Sequence, residues 1–439
     1  MSDIVALLHC LTPHLSNTTL RQLNHIVLAV LCIPDRVTML SIARWTERGG
    51  SYRTVQRWYH TPVDWATILW TIVQVYLLKP DGAYLLAGDE VVISKAGDKT
   101  YGRGRFYSSL AQRPINSVSF MAVSLIDVSA RQSYPLQVEQ REPPTPVEKA
   151  VEPPPKRQRG RPKSSQNHVK PIPKLTPDLT LLQGMIRGIT ARIAPLTVKH
   201  IVLDGHFGNY PATYAVHETG LHIISKMRHD AALYLPYTGP KPRRGPTPRY
   251  GEKLNYKQLP PDALCHSVID DDYRIDTYQM CVFHKSFSDA LNVVVVVKTH
   301  LETGKRGHVV LFSTDLDLTA DQLVDYYSLR FQIEFHFRDG KQYWGLDDFM
   351  NVKPVAVTNA VNLAFLMVSL SAVMLKPYRD DQSDFSVLDL KAQFRARRYL
   401  DETIKMLPDP PDDDLISRIW RRLSALSGIR VRQLDRFAA

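Results

Sequence analysis

Cysteine is scarce in this chain of 439 residues: there are four, Cys10, Cys32, Cys265 and Cys281, and no two share a C-x-x-C spacing. Neither a disulfide scaffold nor a zinc site is expected, and a reducing cytosol suits such a chain. Long apolar runs are also missing. Ile26–Ile33 and Asn292–Val297 are shorter than the roughly 20 residues a spanning helix needs, and no basic segment followed by an apolar core opens the chain. The expectation is a soluble cytoplasmic protein with no membrane partner. Between Glu142 and Pro173 large apolar side chains almost vanish, and Pro, Lys, Arg, Gln and Ser take over. That composition buries too little surface to offset chain entropy, so residues 142–173 read as a disordered basic linker.

What is present describes a folded protein. With 44% hydrophobic and 23% charged residues, the chain has material for two or three domains. A formal charge of +11 and a pI near 9.3 point to a polyanionic partner, nucleic acid first.

The N-terminal stretch is helical in pattern. Leu20, Leu23, Ile26, Val27 and Val30 keep helical spacing, and Pro34-Asp35 ends it. A helix from Met39 to Glu47 stops at Gly49-Gly50, and Ser51 can cap the next. Its outer positions include Arg53 and Arg57, so the pair reads equally as a helix-turn-helix variant or as a bundle with a basic face. Within the linker, Arg159-Gly160-Arg161-Pro162 has an AT-hook composition, two arginines on a narrow extended backbone suited to a minor groove, or is a plain basic linker.

From Tyr84 the pattern turns to strand. AYLLAGDEVVISKAG places Asp89 within a β-branched run, whereas Asp98 sits in a Gly-Asp-Lys turn. Asn116–Val128 and SYPLQVEQ complete a three-stranded antiparallel meander. Leu175–Ala194 is an amphipathic helix, and Lys199–Leu203 a buried strand that ends in Asp204. LHIISKMR is a further strand with Lys226 and Arg228 at its end, placed for phosphate contact. Asp230–Leu291 is irregular and β-rich; Asp270, Asp271 and Asp272 there read as a solvated turn. LNVVVVVKTH and HVVLFSTD are strands leading to the stretch that organises the chain.

That stretch is Thr319–Met350. At about 100° per residue, a helix puts Tyr327, Arg330, Glu334, Arg338 and Lys341 in one sector of roughly 80°. Tyr326, Leu329, Ile333 and Phe337 fall in the adjoining sector, and Gly340 argues for loosening near Lys341. Taken alone, such a face is either a solvated ion-pair stripe or part of a metal-and-phosphate site.

The spacing Tyr327-x2-Arg330-x3-Glu334-x6-Lys341 resembles the Y-R-E-K signature of a group of bacterial insertion-sequence DDE transposases. The resemblance runs from about Tyr84 to Met374. It implies an α/β (α+β) fold, an RNase H-like mixed-sheet core interrupted by a mostly β insertion. It also implies Asp89, Asp204 and Glu334 as catalytic metal ligands for two Mg²⁺ ions, with Mn²⁺ as a substitute. Arg330, Lys341 and Arg338 would hold phosphates, with Tyr327 beside the scissile bond. The partners implied are double-stranded DNA, as terminal inverted repeats and target, and a second copy of the chain in a DNA-bound homodimer near the nucleoid. The division expected is 1–80, helical and DNA-binding; 81–229, first part of the core; 230–291, β-rich insertion; 292–376, second part with the Glu334 helix; 377–439, helical and basic. Some members hold a flipped base with a tryptophan of the insertion; here none lies between Trp70 and Trp344. A non-catalytic DNA-binding derivative and a nuclease without strand transfer stay open as alternatives.

Overall fold

Apolar residues at helical spacing give five N-terminal helices: α1 (Ser2–Leu8), α2 (Asn17–Cys32), α3 (Met39–Trp45), α4 (Tyr52–Tyr59) and α5 (Trp65–Tyr76), the last four each opened by a polar cap. Ser16, Thr38, Ser51 and Asp64 each accept a backbone N–H from the first turn of the helix that follows. The computed structural model describes residues 2–46, 50–143, 172–194, 196–409 and 411–427. Glu47 and Gly49 of the expected turn, most of the 142–173 linker with Arg159 and Arg161, and the end of the tail lie outside the described residues.

The strands that follow are β1 (Tyr84–Ser94), β2 (Gly104–Ser108), β3 (Arg113–Asp127) and β4 (Gln132–Gln140). After α6 (Pro177–Arg192) come β5 (His200–Leu203), α7 (Tyr210–His217), β6 (His222–Met227), β7 (Leu233–Pro236) and β8 (Tyr250–Lys253). Next are β9 (Leu264–Asp270), β10 (Tyr273–His284), β11 (Leu291–His300) and β12 (Arg306–Ser313). Helices α8 (Ala320–Leu329), α9 (Gln332–Tyr343), α10 (Pro354–Asp381), α11 (Val387–Lys405) and α12 (Asp413–Ser427) close the described chain.

All twelve strands form one mixed sheet, ordered β2-β3-β1-β5-β6-β12-β11-β10-β7-β8, with β4 on β3 and β9 on β10. At its centre β1 pairs antiparallel with β3 but parallel with β5, which is itself parallel to β6. A meander joined to two parallel strands, with helices on both faces, is an RNase H-like core, and the fold is mixed α/β. The expected meander is present as β1-β3-β4, but β2, which the sequence pattern did not suggest, lengthens it beyond the end of β1. The β-rich segment 230–291 is continuous with the core sheet, because β10 pairs along ten residues with β11.

The N-terminal helices share one hydrophobic cluster with α9 and α10, through Trp58, Ile68, Ile333, Phe337, Trp344 and Phe365. Asn359 of α10 ties them together. Its amide donates to the carbonyls of Tyr59 and Thr61 at the end of α4 (2.9 and 2.8 Å), and its oxygen accepts the Trp65 indole N–H at 2.7 Å. Length and apolar composition alone would let α10 cross a membrane, but it packs across the core as the apolar run after Asn359 suggests, with 83% of its most apolar window buried within this fold. It is the core helix of the protein.

Replacing Asn359 with Ala leaves those buried groups without partners. The unfolding free energy is expected to fall by about 3 kcal/mol in urea titration. A loss under about 0.5 kcal/mol would show that Asn359 does not hold α4 to α10.

Candidate active site

Strand register brings the first two carboxylates together. Leu86, Ala87 and Gly88 of β1 pair with Ile201, Val202 and Leu203 of β5. One residue further on each strand stand Asp89, midway along β1, and Asp204, just past the end of β5, side by side where the parallel pairing stops. Gly88 eases this approach, since a Cβ there would lie 2.7 Å from Leu203 Cδ2 and make that buried side chain shift. Beyond Leu203 the chain turns through a 3₁₀ segment, Gly205–Phe207, capped by Asp204, whose carboxylate accepts the His206 N–H at 3.1 Å. The turn lies so close to β6 that a Cβ on Gly208 would meet the Lys226 carbonyl oxygen at 2.2 Å.

The third carboxylate comes from a bent helix. The sequence pattern reads as a single helix over 319–350, but the structure breaks it into α8 and α9 at Arg330-Phe331. Around the break Arg330, Phe331, Ile333 and Glu334 donate to carbonyls three residues back, which tightens the path into a 3₁₀-like joint. The bend aims Arg330 inward: it donates to Asp89 at 2.5 Å and to Glu334 at 2.9 Å. Gly340 does not loosen the helix. It allows Leu346 to pack against α9, and the helix runs on to Tyr343 before the chain turns at Gly345, whose φ of +74° suits glycine.

Burial raises the Asp89 carboxyl to about 7; Arg330 pulls it down, while the charges of Asp204 and Glu334 push it up. Burial also works against the Arg330 guanidinium, but Asp89 and Glu334 outweigh it and keep it charged. Three mutually repelling carboxylates and one buried cation form a single electrostatic unit. Tyr327 is half-buried beside it, its phenol raised by burial despite Arg330.

This unit opens into a cleft of about 1110 Å³ that also takes in Arg141, Arg338 and Lys341. Lys341 donates to the Val92 carbonyl at 3.2 Å. Arg338 is exposed, pairs with Asp339 and lies over the Phe335 ring. Arg141 was not singled out in the sequence because it borders the linker; it pairs with Glu90 and Asp178 on the cleft wall. The other expected DNA contacts lie outside the cleft lining. Arg53 and Arg57 are exposed on α4, Lys226 is exposed on β6, and Arg228 pairs with Asp230. Asp98 pairs with Arg103, and Asp270–Asp272 form an exposed turn.

Residues 10–281 match the family described as DDE superfamily endonuclease. The chain belongs to that family. The matched span contains Asp89 and Asp204 and ends before Glu334. No curated protein matches the chain. For a DDE superfamily endonuclease the substrate class is DNA and the usual cofactor a divalent metal. The donor set here suits one: three carboxylates, all hard oxygen ligands, of the kind Mg²⁺ prefers. Among the described residues, no three Asp, Glu, His or Cys are grouped closely enough to hold an ion as they stand. In this structure Arg330 acts as the cation between Asp89 and Glu334.

His336, also missed by the sequence reading, seats the helix that carries Glu334. It is buried, donates through Nε2 to the Ser133 carbonyl at 2.8 Å, and lies 3.3 Å from the Ser124 hydroxyl. Burial depresses its pKa to about 4, so the folded ring stays neutral. An unfolded chain takes up the proton below its ordinary pKa of about 6.5, whereas the folded chain does not. His336 therefore costs stability as pH falls from about 6.5 to about 4, on the order of 3 kcal/mol in total. Denaturant unfolding across that range is expected to show wild type losing this amount relative to His336→Gln; parallel pH profiles would contradict it.

Proposed function

We propose that the chain is a DNA transposase that excises and inserts a mobile element by metal-dependent phosphodiester hydrolysis and strand transfer. The supporting observation is the convergence of Asp89, Asp204 and the Arg330–Glu334 pair at one end of a cleft walled by arginine and lysine. Asp89, Asp204 and Glu334 would hold two Mg²⁺ ions, with Mn²⁺ as a substitute. When bound, such ions lower the pKa of the attacking water and neutralise charge on the phosphate.

The chain's own residues orient the DNA. Arg338, facing the cleft from an exposed position, and Lys341, already directed by its bond to Val92, hold phosphates on either side of the scissile bond. Arg330, released from one carboxylate, turns its second N–H pair towards the same phosphate. Tyr327 stands beside Arg330, where its hydroxyl fixes the sugar-phosphate backbone. After the first cut the 3′-hydroxyl remains in the cleft and attacks a target strand. Both ends of an element are processed together, which calls for a homodimer on DNA, with inverted repeats bound through α4 and its Arg53 and Arg57 and flanking phosphates through Lys226 and Arg228. Such a protein works at the bacterial nucleoid.

Cleavage and joining of a labelled element end in Mg²⁺ tests the reading, with wild type beside Glu334→Gln. Wild type is expected to cut and join, and the variant to bind yet lose at least about a thousandfold in rate. Equal cutting by the variant removes Glu334 from the site. Cutting without joining favours a nuclease, and binding without cutting by either protein favours a DNA-binding derivative.

Arg330→Met gives a separate check that needs no turnover. Removing the competing guanidinium is expected to tighten Mg²⁺ binding about tenfold in calorimetry while lowering cleavage. Weaker Mg²⁺ binding by the variant would show that Arg330 does not compete with the metal for these carboxylates.

A further inference from the structure

The hairpin of β2 and β3 takes no part in the chemistry described so far, yet it lines the same cleft. Tyr107, Ser108, Ser109 and Leu110 share that lining with Asp89, Asp204 and Glu334. Leu110 is 94% exposed and Tyr107 59%, so neither side chain contributes to the core. Single exposed apolar residues are common on protein surfaces. Two of them at one hairpin, overlooking the carboxylates, need a different account.

The hairpin is firmly built. Five residue pairs, from Gly104 with Ser117 to Ser108 with Arg113, lock its strands. Alternation along β2 turns Phe106 inward, 4% exposed and beneath the Arg141 guanidinium, and so turns Tyr107 outward. At the tip the Ala111 N–H donates to the Ser108 hydroxyl at 3.2 Å, and Gln112 takes a left-handed φ of 50° to close the loop. Because β1 ends opposite Ser117, the paired segment from Arg113 to Asn116 projects beyond it. Exposed Arg105 and Arg113 flank the tip, which matches a phosphate-rich partner better than an apolar protein surface.

We propose that this hairpin is a wedge that enters the duplex beside the scissile phosphate, Leu110 parting a base step while Tyr107 stacks on an unstacked base. An apolar side chain between base steps and an aromatic ring on a base face are general means of holding distorted DNA. Arg105 and Arg113 fix the flanking backbone. The wedge adds a DNA contact to the active site and rests on the DNA-cutting reading above.

The test uses the full-length chain in Mg²⁺ on the duplex end that wild type cleaves, intact or with an abasic nucleotide next to the scissile phosphate. Tyr107→Ala with Leu110→Ser is expected to bind within a few-fold of wild type by anisotropy and to cut intact DNA on the order of tenfold more slowly. The abasic substrate should restore its rate, because no base remains to be unstacked, and permanganate reactivity of the flanking thymines should be lost on intact DNA. Leu110→Ser alone, at a site with no packing, should show the same rescue in smaller degree and carries the test if the double variant folds poorly. Intact-DNA rates equal to wild type, or a slow rate that the abasic site leaves unchanged, overturn the wedge while leaving the nuclease reading in place. Failure of wild type to cut any end overturns both.

Discussion

The constraint that shapes this structure is the gathering of three carboxylates, two from adjacent parallel strands and one from the helix that covers them. Like charges so placed repel, and burial makes Asp89 in particular harder to keep ionised. Arg330 resolves the conflict in the protein alone by bridging Asp89 and Glu334. A buried cation that loses one partner is destabilised, so the bridge holds the helix in place as well as balancing charge. Its removal would leave α9 seated by packing and by His336, with nothing to offset the field of its own carboxylates.

That seat explains why the N-terminal helices and the catalytic strands have a common core. Glu334 is directed by α9, α9 rests on α10 through Phe337 and Phe365, and α10 holds α4 through Asn359. Buried Lys391 of α11 adds a second tie, donating to Val30 of α2 and to Tyr343 at the end of α9. A helix presenting arginine outward on α4 is thus linked through a few rigid contacts to the carboxylate on α9. DNA bound at one surface would be registered against the cleft by packing, without a flexible joint in the described residues between them.

Much of this was legible in the sequence because local pattern carried it. Asp89 stands within a β-branched strand-like run and Asp204 ends a short apolar one, and the offsets from Tyr327 to Lys341 mark the third element. The parts that stayed hidden depend on register and long-range packing. Nothing in the one-dimensional pattern tells that Gly88 lies against Leu203, which is what sets the two aspartates side by side. β2 has five residues between glycine- and serine-containing loops, too short for alternation to stand out. Arg141 reads as the start of a linker until its partners Glu90 and Asp178 are seen. His336, interspersed in sequence with the stripe residues but on the opposite side of the helix, is buried because Ser133 and Ser124 of neighbouring strands receive it.

The bend at Arg330-Phe331 shows where periodicity and function part. A straight helix over that stretch would satisfy the amphipathic pattern, yet its two halves belong to different cores. Leu323 and Leu329 pack with Ala87, Val202 and Leu311 on the sheet, whereas Ile333 and Phe337 pack with α10 and the N-terminal helices. Each half is anchored separately, and the 3₁₀-like joint absorbs the change of direction. Arg330 sits on the joint itself. Its guanidinium reaches both Asp89 and Glu334 while the two halves of the helix are held by their own cores. The charge that holds Asp89 and Glu334 together therefore sits at the junction of the two cores, and the bridge depends on both.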